Sequence, residues 1–254
     1  MKTLLRVAPA GLLLALVAFA ADVRAQEPAS GDSAHGGDAA TLGAKLSNPV
    51  SDVWALFTEF DLYFSDGDVN EGDAVGGRML FQPVLPFPLY GSGENEWKLI
   101  TRPTIPILFS QPIPTAFNQF DHEAGLADIQ LPMLVSPPTG KWLLGAGPAW
   151  LFPTSTEDAF GRQQWGVGPS AVAGYASKRV TLGVFPQYYF GFASRGDRHD
   201  DVRDASYLNL LYFLVFNLPD AWQVGMNPTI TDDHQASSGN KWNVPIGLIV
   251  AKTT

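Results

Sequence analysis

The 254-residue chain contains no cysteine. Disulfides are therefore excluded, and so is an N-terminus anchored through a lipid-modified thiol. An exported protein without such staples must be stable through burial or through embedding in a membrane. Charge is also scarce, at 16% of residues against about 25% in soluble domains. What charge there is leans acidic, with 25 Asp and Glu against 16 Lys and Arg and a formal net charge of −9. That balance argues against nucleic acid as a partner, because phosphate binding needs a basic face. No glycine-rich phosphate loop, zinc signature or dinucleotide fingerprint occurs. Beyond the first 25 residues no apolar run approaches the ~20 residues of a membrane-spanning helix, so any bilayer crossing must use strands.

The N-terminus reads as an export signal (residues 1–25). Lys2 and Arg6 form a basic region, residues 11–21 are apolar, and Val23-Arg24-Ala25 offers small residues for cleavage after Ala25. The apolar stretch is too short for an uncleaved membrane anchor. Removing Lys2, Arg6, Asp22 and Arg24 takes the formal charge from −9 to −11. Residues 26–45, rich in Gly, Ala, Ser and Asp, predict a flexible periplasmic linker, and residues 46–254 the main domain. Asn48-Pro49 and Ser51-Asp52 suit the caps of one short helical turn within 46–56.

From residue 58 the apolar period drops to two. Ten segments of roughly ten residues alternate apolar and polar, as a transmembrane β-barrel does. Phe60 and Leu62 share one face of the first, and Glu59, Asp61 and Tyr63 the other. In 78–87, Met79, Phe81, Leu85 and Phe87 oppose Arg78, Gln82 and Val84. In 97–109, Trp97, Leu99, Ile105, Ile107 and Phe109 oppose Lys98, Arg102 and Thr104, and in 126–135 Asp128 and Gln130 are the inward polar residues. Across 142–176 the inward face is almost entirely Gly, Ala and Ser, which predicts room in the lumen for a solute path or for an inserted segment such as 46–56. The connectors 65–73, 110–125, 154–164, 193–204 and 231–241 are long and polar. Those between them (88–96, 136–141, 177–179, 219–220) are mostly short. Barrels sort their connectors this way, and export places the short ones in the periplasm.

Aromatics make up 12% of the chain, including seven Trp. Trp97, Trp142, Trp165, Trp222 and Trp242 each open a segment, as an interfacial girdle requires; buried core Trp is the plainer alternative. Pro83, Pro103, Pro106, Pro132, Pro169, Pro186 and Pro245 fall inside segments and predict bulges or strand ends. The inward charges Glu59, Asp61, Arg78, Lys98, Arg102 and Asp128 balance three against three. They predict either a lumenal salt-bridge network or, with Gln130, a polar constriction.

Other motifs are weak. Residues 66–77 have the alternating oxygens of a calcium loop, but Glu71 and Gly77 stand where Gly and Glu belong, so no metal or cofactor is expected. All four His fall in the linker or the long connectors, off the strands, which argues against an enzyme.

Several stretches in order, NPVSDVWAL (48–56), ADIQ (127–130), GAGPAWLFPTST (145–156), WGVGPSAVAG (165–174) and KWNVPIGL (241–248), resemble one group of bacterial outer-membrane proteins. It is the family named for the MetA pathway of phenol degradation, whose members often carry a neuromedin-U or transporter label. The resemblance covers about residues 46–250. It implies an all-β, antiparallel up-and-down barrel of twelve strands, and passage of small hydrophobic compounds across a Gram-negative outer membrane. Only ten strands are read here, without the family's last two or its terminal aromatic residue. A truncated chain with a gap between 58–64 and 242–250 is therefore expected. The alternatives are a non-conducting structural barrel and, more remotely, a lipid-modifying barrel enzyme.

Overall fold

The computed structural model describes residues 14–20, 43, 45, 48–50, 53–67, 70–117, 119–196, 198–200, 202–239 and 241–252. Fifteen strands form one sheet. β1 (Leu14–Ala20) falls within the stretch whose sequence reads as an export signal. The others are β2 (Ala55–Gly67), β3 (Asn70–Tyr90), β4 (Trp97–Thr101), β5 (Ile105–Ala116), β6 (Gln119–Leu126), β7 (Ile129–Ser136), β8 (Trp142–Phe152), β9 (Gln164–Ala176), β10 (Val180–Ser194), β11 (Ser206–Asn217), β12 (Trp222–Met226), β13 (Thr229–Asp233), β14 (Trp242–Asn243) and β15 (Ile249–Lys252). Every pairing is antiparallel.

The fourteen strands after β1 make ten passes, because β4–β5, β6–β7, β12–β13 and β14–β15 are each one pass broken in two. Each pass pairs only with the passes before and after it, giving an up-and-down meander. Three of the four breaks hold a proline, Pro103, Pro228 or Pro245, which has no N–H for the ladder. The fourth falls at Ala127-Asp128, where the Asp128 side chain captures a loop. Pro83, Pro106, Pro132, Pro169 and Pro186 remain inside strands; Pro148 and Pro169 sit directly opposite, so two missing donors coincide.

Two of the five long connectors turn out to be largely strand over their described residues. β2 and β3 pair as far as Gly67↔Asn70, and β5 and β6 as far as Ala116↔Gln119. Their polar residues continue the hairpins, because backbone pairing does not depend on an apolar face. Of the helical turn expected at 46–56, residues 46, 47, 51 and 52 lie outside the described residues. Residues 48–50 form a turn in which the Val50 N–H donates to Asn48 Oδ1 at 2.9 Å, and Ala55 and Leu56 belong to β2.

The alternation sorts the side chains into an outward face that is apolar though exposed and an inward face that is buried. Outward stand Leu56, Phe60, Leu62, Phe109, Leu182, Val184, Phe190 and all seven Trp, the latter 37–61% exposed. Trp54, Trp97, Trp142 and Trp222 ring the short-turn end, while Trp165 and Trp242 open strands at the other end. Edge-to-face contacts seat Trp54 on Phe87, Trp142 on Tyr175 and Trp165 on Phe152, with centroids 5.4, 5.4 and 5.6 Å apart. Inward stand Asp61, Val84, Ile100, Leu134, Phe185 and Tyr189, all buried.

The sheet curls until its inner face meets itself. Gln130 on β7 donates to Tyr207 OH on β11 at 3.3 Å and accepts from Asn209 Nδ2 at 3.1 Å, across four passes. The small inner residues of β8 and β9 do not leave an open path along that wall. Phe185, Tyr189 and Tyr207 from β10 and β11 pack over them, together with Leu134, Leu151 and Val172. The sheet is not closed. Among the described residues no ladder joins β2 to β14 or β15; the free edge of β2 carries β1, in register from Leu14↔Leu62 to Ala20↔Leu56, and β15 pairs with β12.

Candidate functional site

With the β8–β11 side filled, the open interior lies against β2–β5 and β13–β15. A chamber of about 690 Å³ occupies the end with the long connectors. A pocket of about 100 Å³ lies toward the short-turn end, lined by Asn48, Pro49, Phe57, Phe213 and Gln223. Glu59, Gln82, Arg102, Leu211, Asn227 and Ile249 border both cavities and so form the ring that divides them.

Strand alternation places the polar part of that ring. Glu59 and Asp61 share the inner face of β2, opposite Leu80 and Arg78 of β3, and Gln82 follows two residues on. Asp61 is fully buried, and its Oδ2 accepts from Arg78 Nε at 2.7 Å while its Oδ1 has no hydrogen-bond partner among the described residues. The Arg78 side chain remains 39% exposed to the chamber. Arg102, at the proline break between β4 and β5, donates from Nη2 to Gln82 Oε1 at 3.4 Å. Glu59 stands within electrostatic reach of Asp61, Arg78 and Arg102. Four of the six inward charges read from the sequence, Glu59, Asp61, Arg78 and Arg102, thus come together.

The other two do not join them. Lys98 lies at the short-turn end, 3.5 Å from Glu96. Asp128 is buried, and its carboxylate accepts the backbone N–H groups of Ser155 and Gln163 at 3.0 Å each and that of Arg162. It clamps the loop 153–163, from which Phe160, Gly161 and Arg162 roof the chamber. Gln130 lines the chamber and ties β7 to β11.

No family model, curated protein or solved structure matches this chain.

A second charged group surrounds the chamber's long-connector mouth. Asp233, at the end of β13, accepts from Arg162 Nη2 at 2.6 Å and from Arg203 Nη1 at 2.8 Å. Its other oxygen, Oδ1, accepts the Gln235 N–H at 3.0 Å. Arg162 also lies over the Tyr207 ring, 5.7 Å from its centroid. Gln164 and Arg198 meet on Asp204 at 2.8 and 3.1 Å. Sequence reading passed over Arg162, Arg203 and Asp233 because they sit in or beside polar connectors, where no periodicity marks an inward side chain.

Two histidines are better placed than their positions in the sequence imply. His122 stands on β6, with Ser110 Oγ on β5 2.8 Å from its Nδ1. His234 Nδ1 lies 2.7 Å from Tyr188 OH and its Nε2 lies 3.1 Å from Asp232. Among the described residues no acid is hydrogen-bonded to His122.

At the short-turn end Val50 packs on Ala55, Val84 and Ile100 on one side and on Leu134, Val172 and Phe185 on the other. Residues 48–50 are thus wedged in the interior beneath the dividing ring.

Proposed function

We propose that this chain is a bacterial outer-membrane β-barrel that lets small apolar or aromatic compounds cross passively, without catalysis. One observation carries the reading. The outer face of the curled sheet is apolar and carries every Trp, while charged and amide side chains line a chamber within. Water gives no reason for that inversion; a lipid solvent does, with Trp at both interfaces. The resemblance to the outer-membrane family of the MetA pathway points the same way. In lipid an open sheet edge costs several kcal/mol per unpaired group, so β2 and the last pass must be covered. Removal of the leader would free the β2 edge that β1 occupies and make it available for closure.

The test is reconstitution of the purified chain in liposomes with flux of a small aromatic solute as readout. Flux above that of protein-free liposomes is expected, and flux equal to theirs would sink the transport claim.

The wedge at residues 48–50 favours a second reading, a barrel that is plugged and does not conduct. Deleting residues 26–50 separates the two. Conductance that rises on deletion marks a plugged channel, and none in either form marks a structural barrel.

A further inference from the structure

The chamber is not the apolar cavity that a purely hydrophobic solute calls for. Four guanidiniums reach its surface, those of Arg78, Arg102, Arg162 and Arg203, against two carboxylates, Glu59 and Asp128. The counter-charges are recessed: Asp61 lies 1% exposed behind Arg78, and Asp233 7% exposed behind Arg162 and Arg203. Asp128 faces the chamber, but its lone pairs are taken by three backbone N–H groups. Arg78, Arg162 and Arg203 each hold a carboxylate; Arg102 is the one of the four without one among the described residues. Among the described residues its one hydrogen bond is to Gln82 and no carboxylate lies within ion-pair distance. A guanidinium carries five N–H donors in a fork that matches a carboxylate. Around these groups stand Leu80, Leu108, Phe160, Phe185, Leu211 and Ile249, an apolar lining for a small body. The volume lies in the ordinary range for small-molecule sites, about 300–1,000 Å³.

We infer that the chamber binds small amphiphilic organic anions, an apolar or aromatic body bearing a carboxylate, with the carboxylate on Arg102 at the dividing ring. This deepens the channel reading and rests on it for access to the chamber. Along the wall the charges run Arg78, Glu59, Arg102, so Glu59 is the group that competes with an incoming carboxylate for the guanidiniums. That order gives the test a sign that misfolding cannot imitate.

The experiment uses the purified full chain in detergent micelles, with benzoate and its neutral analogue benzyl alcohol as probes and calorimetric titration as readout. Benzoate is expected to bind at least tenfold more tightly than benzyl alcohol, and less tightly as salt rises. Arg102→Gln should weaken benzoate about tenfold and leave benzyl alcohol unchanged. Glu59→Gln should tighten benzoate several-fold. Lys98→Gln, on the same pass but outside the chamber, should change neither. Equal affinity for the two probes, no benzoate binding, or Glu59→Gln that leaves benzoate unchanged or weaker overturns the inference. Benzoate binding without flux in liposomes overturns the channel reading and leaves the anion site standing. Flux with no preference for benzoate does the reverse.

Discussion

Replacing Asp128 by Ala should open the roof of the chamber while leaving the sheet intact. The carboxylate accepts three backbone N–H groups from the loop 153–163. Ser155 and Gln163 are themselves 0 and 1% exposed, so water does not readily replace the lost acceptor. A hydrogen bond to a charged group contributes about 1.5–3 kcal/mol, and the lower figure suits a set that does not add fully. The three together then stabilise the closed loop by about 4 kcal/mol, roughly a thousandfold in its opening equilibrium. Amide hydrogen exchange followed by mass spectrometry is the assay. Peptides covering 153–163 should lose protection by about that factor, while those from the β8–β9 and β9–β10 ladders keep theirs. Gly161→Ala should act in the same direction, since a Cβ there would stand 2.4 Å from Asp128 Oδ2. Protection in Asp128→Ala within a few-fold of the parent would refute the clamp, and equal loss across the whole sheet would show that Asp128 supports the fold at large.

If the outer face meets lipid, brominated phospholipids should quench most of the tryptophan emission, because all seven rings are exposed on that face or at its ends; emission unaffected by bromine would contradict the orientation. Gly168→Ala places a Cβ 2.0 Å from the Tyr188 carbonyl oxygen. That should prise β9 from β10, seen as loss of the compact, heat-modifiable band on unboiled gels, and a normal band would disprove the close approach. Asp233→Asn removes the acceptor shared by Arg162 and Arg203, so trypsin added to intact cells should cut after Arg198 or Arg203 faster than in the parent. An unchanged rate would mean that the ion pairs do not order the mouth.

The faces of the sheet were legible because a strand's side chains alternate regardless of what it pairs with. Phe60 and Leu62 outward, and Glu59, Asp61, Arg78 and Arg102 inward, follow from parity alone. So do the ten passes, since each apolar-alternating run must traverse the sheet once, and prolines such as Pro103 and Pro245 marked where passes would break. Parity says nothing about depth or about what lies across the interior. Lys98 shares its parity with Arg102 yet pairs with Glu96 at the short-turn end, and Asp128 spends its charge on a loop 27–35 residues further along the chain. Curvature decided the rest. It set Gln130 against Tyr207 and Asn209, covered the small residues of β8 and β9 with Phe185 and Tyr189, and left the chamber on the side where Arg78 and Arg102 stand. The local chain chooses which face a side chain takes, but which distant faces meet depends on how far the whole sheet bends, and that is a sum over all its strands.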